Sequence, residues 1–198
     1  LHEALDIYFG VADGGYGWIF PHRGYYSVGI GGLSSRLKHP RTIMKNFLKD
    51  NGFRDHYQLH GHAIPLGCFE NKLASERVLL AGDAAGLVDG FTGEGMSYAI
   101  RSGQIAAESV AENLQADGKR LTTAYRSRCK VEFGDELRYA FMLSRLLHSH
   151  PEVCFRILTS EEEVLERYID IATPRTNYCD FMRWLLPRLP AFFERYEA

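Results

Sequence analysis

Asp83 follows a short apolar run, Arg77 to Ala81, and stands at the head of a glycine-studded stretch that includes Gly82, Gly86, Gly90, Gly93 and Gly95. A carboxylate at a strand tip repels phosphate but accepts hydrogen bonds from ribose-type or ribityl-type hydroxyls. From about Gly95 the spacing of Met96, Ala99, Ile100, Gly103 and Ala107 becomes helical. The predicted order is therefore strand, loop, helix. Thr92 stands where an N-cap is expected, and Gly93 and Gly95 clear side chains from the first amides of the helix. Such a helix start attracts negative or electron-rich groups. Together these residues predict a polyhydroxylated, phosphate-bearing cofactor whose electron-poor ring lies by the helix, with a tight structural turn as the competing reading.

The elements that must position this loop are read from the rest of the chain. Leu5 to Val11 predicts a strand that ends in the turn-prone Ala12-Asp13-Gly14-Gly15. Strand alternation then places Tyr16, Trp18 and Phe20 on one face before Pro21, and Tyr25 to Ile30 returns as another strand. Glycines such as Gly29 and Gly31 mark a close approach by a ligand or another backbone. The Gly29-x-Gly31 pair is not a dinucleotide fingerprint, because Ser34 replaces the third glycine and Pro40 interrupts the helix that should follow.

Arg41 to Asn51 predicts a short helix with Ile43, Met44, Phe47 and Leu48 inward, closed by Gly52. Tyr57 to Leu66 alternates as a strand. His60 and His62 share one of its faces, but no carboxylate or cysteine stands at metal-binding spacing, so a polar sheet face is the better reading. Gln104 to Gln115 continues the loop's helix until Ala116-Asp117-Gly118 breaks it. Leu121 to Leu147 predicts a long amphipathic helix bearing Tyr125, Phe133, Leu137, Phe141 and Leu146. Shorter helices follow Pro151 and Ser160, the second with Ser160 and Glu163 as a capping box. The tail from Tyr178 to Tyr196 mixes aromatic and basic residues, and packing against the domain is favoured over peripheral contact with a membrane surface.

Composition narrows the function classes. The chain has 198 residues, 45% of them hydrophobic, which builds one substantial core and a helical appendage but is short for a complete two-domain enzyme. A net charge of −2 with scattered basic residues predicts no nucleic-acid partner. No run reaches the roughly 18 apolar residues that cross a bilayer, and the start LHEALDIYFG carries no signal-peptide pattern and no initiator methionine. The chain is expected to begin inside a domain. Cys68, Cys129, Cys154 and Cys179 form no C-x-x-C pair, which predicts reduced cytoplasmic thiols and no metal.

Gly82-Asp83-Ala84-Ala85-Gly86, Phe91-Thr92-Gly93-Glu94-Gly95 and Arg101-Ser102-Gly103 together resemble the second FAD-binding segment of the geranylgeranyl reductase family. Tyr16-x-Trp18-x-Phe20-Pro21 followed by Gly29-x-Gly31 resembles the same family's YxWxFP and GxG segments. The resemblance covers most of the chain and is strongest at residues 16 to 32 and 77 to 103. One departure is Gly90, where the family usually has proline.

The resemblance implies FAD as cofactor, with Gly82 and Asp83 at its ribityl or pyrophosphate part and the Gly93, Glu94, Gly95 and Met96 backbone beside the ring. The first FAD-binding segment is absent from this chain. It further implies that Tyr16, Trp18, Phe20, Pro21, Gly29 and Gly31 line an isoprenoid cavity, with a prenyl lipid or prenyl diphosphate as substrate. The implied reaction is saturation of prenyl carbon-carbon double bonds by hydride from reduced FAD. Neither a catalytic proton donor nor the electron donor can be named from the sequence.

The fold class that follows is α/β: an antiparallel substrate-side sheet in 1–76, the last strand and helix of a Rossmann-like FAD domain in 77–115, and helices in 116–198. Two alternatives stay open at this point. One is an aromatic-ring flavin monooxygenase; the other is a non-catalytic fragment that binds FAD weakly or not at all when alone.

Overall fold

The computed structural model describes residues 4–54, 57–66, 73–115, 117–173 and 175–197, and the chain divides into two compact units, 1–63 and 64–198. Cys68 lies outside the described residues.

In the first unit, β1 (Asp6–Phe9), β2 (Gly15–His22) and β3 (Tyr25–Gly32) form an antiparallel sheet in the order β1-β2-β3, with Ile7 opposite Trp18 and Trp18 opposite Gly29. The β2–β3 connection is the two-residue Arg23-Gly24, and Gly24 takes the left-handed conformation (φ 90°) that a tight hairpin demands. Alternation sends Gly17 and Ile19 to a buried face. That face is covered by α1 (Pro40–Asp50), whose Phe47 ring lies 3.0 Å from where a Gly17 Cβ would stand. Phe47 and Leu48 of α1 are buried, while Ile43 and Met44 are only half-buried. Each large side chain buried here is worth about 1.5–3 kcal/mol of transfer free energy.

Residues 57–66 do not form the expected strand. They run without a ladder partner among the described residues, and Tyr57, Ile64, His60 and His62 are all exposed. Alternation alone cannot hold an extended segment whose amides find no neighbouring strand.

The second unit is mostly helical. The expected strand at Arg77–Ala81 shrinks to β5 (Val78–Leu79), paired antiparallel with β4 (Ala74–Ser75), and Val78 is half exposed. No parallel Rossmann-type ladder is present among the described residues. After a 3-10 turn over Gly82–Ala85 come α2 (Met96–Glu112) and α3 (Gly118–Ser149). Asp117 caps α3 by accepting the Arg120 amide at 2.8 Å. Tyr125, Cys129, Phe133 and Leu137 recur at helical spacing on α3 and bury with Leu73, Leu87 and Ile105.

The C-terminal half of α3 joins a second core with α4 (Pro151–Ser160), α5 (Glu162–Ala172), α6 (Tyr178–Leu185) and α7 (Leu189–Tyr196). The Ser160–Glu163 capping box does not form: Ser160 closes α4, and α5 starts from Glu161 without a side-chain cap. The aromatic-basic tail packs inward through Phe181, Leu185 and Phe192. The guanidinium groups of Arg167 and Arg188 lie over the Trp184 ring, at 4.6 and 4.8 Å from its centre. No helix among the described residues is long and apolar enough to cross a membrane.

Cys129, Cys154 and Cys179 are free thiols. Burial raises the Cys154 thiol to about 11.

Candidate functional site

Gly82 opens the site. Its φ of +55° is a left-handed conformation, and a Cβ there would lie 2.7 Å from that of Ala99. Only glycine lets the turn approach α2 so closely. The Gly82 amide donates to the buried Ser102 hydroxyl at 2.9 Å, and that hydroxyl donates to the Ala99 carbonyl at 3.2 Å. The turn is thus stitched to the second coil of α2, leaving Asp83 exposed at the surface. Asp83 Oδ1 lies 3.0 Å from the Cβ that a side chain at Gly95 would add. The carboxylate and the start of α2 therefore share one small space that glycine keeps clear.

The helix start differs from expectation. Gly95, not Thr92, is the N-cap of α2, and it makes no side-chain bond. Thr92 Oγ1 instead accepts the Glu94 amide at 3.2 Å, and the Gly93 amide donates to the Asp89 carbonyl at 3.0 Å. Glu94 reaches forward over the helix start: Oε1 accepts the Ser97 amide at 2.9 Å, and Oε2 accepts the Ser97 hydroxyl at 2.7 Å. Its charge outcompetes the threonine hydroxyl for an orphan helix amide.

Asp89 was not among the residues singled out from the sequence, yet it organises the loop. It is 4% exposed, and its Oδ1 accepts the amides of Phe91 at 2.7 Å and Thr92 at 2.8 Å. Its own amide donates to the Glu94 carbonyl at 2.8 Å. An Asp-Gly pair beginning a turn was the signal that could have found it. The next residue, Gly90, is buried without a left-handed φ. A Cβ there would meet Phe141 at 3.4 Å, an ordinary contact.

Around the loop, burial first and then the negative charges of Asp89, Glu136 and Glu94 push the Tyr98 phenol above its ordinary value. Burial and then Asp89 do the same to Tyr178, and burial to Tyr125. Raised phenols stabilise the folded chain fully below the unfolded value near 10. Above it the unfolded chain ionises while the fold holds these phenols neutral, so stability falls. Chemical denaturation from pH 9 upward should show a midpoint that declines from about pH 10, and Tyr178→Phe should reduce that slope by the share of one tyrosine.

The face of α2 that the spacing picked out is not the buried one. Met96 and Ile100 are 78% and 66% exposed, whereas Ser102, Ile105 and Ser109 face the core. On the outer side Arg101 Nε donates to Glu132 Oε1 at 2.8 Å, which tethers α2 to α3. That bond lowers the Glu132 carboxyl and raises the Arg101 guanidinium.

In the first unit, Tyr16, Trp18 and Phe20 do form a row on the sheet face opposite α1. Ring centres are 6.0 Å apart for Tyr16–Trp18 and 6.3 Å for Trp18–Phe20, and all three are half-buried. The Trp18 indole lies across Gly29: a Cβ there would be 2.1 Å from Cζ2. What approaches Gly29 so closely is this cross-strand ring. The indole Nε1 donates to Ser27 Oγ at 3.4 Å, fixing its orientation.

The residues of the turn and loop fit FAD in kind. An exposed carboxylate suits ribityl hydroxyls, and Gly95 leaves the space beside it free of any side chain. Among the described residues no group of three or more histidine, cysteine or acidic side chains is placed to hold a metal.

No family model matches the chain. Curated relatives do. An uncharacterized protein of Methanosarcina barkeri is 29% identical over 77% of this chain and 39% of its own length. Digeranylgeranylglycerophospholipid reductase 2 of Methanothermobacter thermautotrophicus is 29% identical over 73% of this chain and 39% of its own length. The chloroplastic geranylgeranyl diphosphate reductase of Arabidopsis thaliana is 34% identical over 60% of this chain and 26% of its own length. The chain therefore spans about two fifths or less of the length of these relatives. In fold it is similar to a crystal structure of a geranylgeranyl bacteriochlorophyll reductase-like protein from Thermoplasma acidophilum, with a TM-score of 0.58 at 23% identity, over 73% of this chain and 39% of that one. Over most of its length the chain is thus a sequence relative of proteins named geranylgeranyl reductases.

Proposed function

We propose that this chain, a relative of the geranylgeranyl reductases, is the part of an FAD-dependent reductase that grips the flavin end of the cofactor and lines the path of a prenyl substrate. The observation that carries this reading is the exposed Asp83 carboxylate, held beside the glycine start of α2 by the Gly82–Ser102 hydrogen bond. Asp83 holds ribityl hydroxyls. The ring lies against the Gly93–Met96 backbone, and the amides of Gly95 and Met96 serve it, since those of Gly93 and Glu94 are spent within the loop. FAD, when bound and reduced, supplies hydride to a prenyl double bond.

An unactivated alkene offers no oxyanion to stabilise, so the protein acts by positioning and by excluding water. In this reading the row Tyr16, Trp18, Phe20, with Pro21, Gly29 and Gly31, is the wall against which the isoprenoid lies. Rigid aromatic side chains bury much hydrocarbon area while ordering few rotamers. The reductase names of the relatives favour reduction over aromatic hydroxylation.

With other parts of the cofactor site outside this chain, FAD binding by the chain alone is weak. Titration of labelled protein with FAD should move the amide signals of Asp83, Gly95 and Met96 first, and Asp83→Ala should abolish those shifts. Shifts scattered over the surface, or identical in the variant, would refute the assignment.

A further inference from the structure

Asp89 is buried, and four hydrogen bonds of the loop converge on it. Its carboxylate takes the amides of Phe91 and Thr92, its amide donates to the Glu94 carbonyl, and its carbonyl accepts the Gly93 amide. Every residue from 91 to 94 is thereby tied to the side chain or backbone of this one residue. A buried carboxylate is costly unless compensated. The amides of Phe91 and Thr92 supply that compensation.

The strut behind the loop comes from α5, where the Tyr168 ring meets Phe91 edge-on at 5.4 Å. Phe91 also packs against the core of the C-terminal helices, which includes the buried Tyr178 at the start of α6.

We infer that Asp89 is the positioning residue of the cofactor loop and that Tyr168, through its ring contact with Phe91, is its backing, so that the C-terminal helices set the shape in which the start of α2 is presented. The inference rests on the reading of this loop as the flavin-facing one, but the lock itself is testable without any flavin. Its consequence is that a residue far along the chain controls the loop while touching no ligand.

Amide hydrogen exchange on the whole chain tests it. Asp89→Ala should speed exchange at Phe91 and Thr92 by about tenfold or more, as expected when a charge-assisted pair of bonds is lost. Asp89→Asn keeps the acceptor oxygen and should restore most of the protection. Tyr168→Ala should speed the same two amides by several-fold, about threefold at least, while those of Tyr125 to Leu137 in α3 stay unchanged. Unchanged exchange at Phe91 and Thr92 in Asp89→Ala would overturn the inference. So would a uniform rise across α3, or failure of the asparagine to rescue. If the lock behaves as stated and FAD still leaves Asp83, Gly95 and Met96 unmoved, the functional reading falls and the lock stands.

Discussion

Leu137→Ala should destabilise the second unit by about 3–5 kcal/mol. Leu137 is fully buried on α3, in the core that includes Tyr125, Cys129, Phe133 and Ile105. Truncation removes the transfer free energy of three carbons and leaves a void that helices pinned on both sides cannot close. Against a typical domain stability of about 5–15 kcal/mol, the loss is a large fraction. The melting transition of this unit should drop by roughly 10 °C, followed by helical circular dichroism. Because the chain has two units, amide exchange in α3 is the cleaner readout of the free energy. A loss below about 1 kcal/mol would mean that this core is loosely packed.

Gly29→Ala should displace the Trp18 indole and cost about 1–3 kcal/mol in the sheet, because a side chain is forced into a filled space. The new methyl would sit 2.1 Å from Trp18 Cζ2, and the ring must swing away, breaking its bond to Ser27 and its place between Tyr16 and Phe20. Gly31→Ala is the control. Its added carbon would meet the same ring at 3.7 Å, an ordinary contact, so the substitution should be nearly neutral. The indole N–H resonance of Trp18 reads both variants. A large shift in Gly29→Ala with none in Gly31→Ala is expected; equal behaviour of the two would contradict the placement of the ring.

The parts of the fold set by local pattern were legible in the sequence. Alternation around Trp18 gives β2 and its aromatic row, and the spacing of Tyr125, Phe133 and Leu137 gives α3 within a few residues of its ends. The parts decided by partners were not. Tyr57 to Leu66 alternates yet finds no neighbouring strand among the described residues, and the apolar run before Asp83 yields only the two residues of β5.

At the site, Gly95 was read as clearing the start of α2, and Asp83 Oδ1 stands where a side chain at Gly95 would come within 3.0 Å. The capping assignment went to Thr92 because a hydroxyl was visible there. The Glu94 carboxylate, one residue from the true N-cap, is the stronger ligand for the Ser97 amide. The helical spacing was read from Met96, Ala99, Ile100, Gly103 and Ala107, and it did not show that Ser102 and Ser109 face the core. Ser102 is buried because its hydroxyl is needed by the Gly82 amide, a contact between residues twenty apart that no local pattern displays. The close approach at Gly29 was expected from a ligand or another backbone, and it comes instead from a side chain. That its occupant is Trp18 follows only from the register that sets Trp18 opposite Gly29.

The most direct test of the account is an exchange of segments. The digeranylgeranylglycerophospholipid reductase of Methanothermobacter thermautotrophicus would receive residues Gly82 to Met96 of this chain in place of its own matching segment, and be given reduced FAD and a geranylgeranyl lipid. The account predicts a chimera that is yellow as purified and adds the mass of two hydrogens for each double bond saturated, with both properties lost on Asp83→Ala. A chimera that folds as its parent does, with the same circular dichroism and melting behaviour, yet stays colourless and leaves the lipid mass unchanged would contradict it.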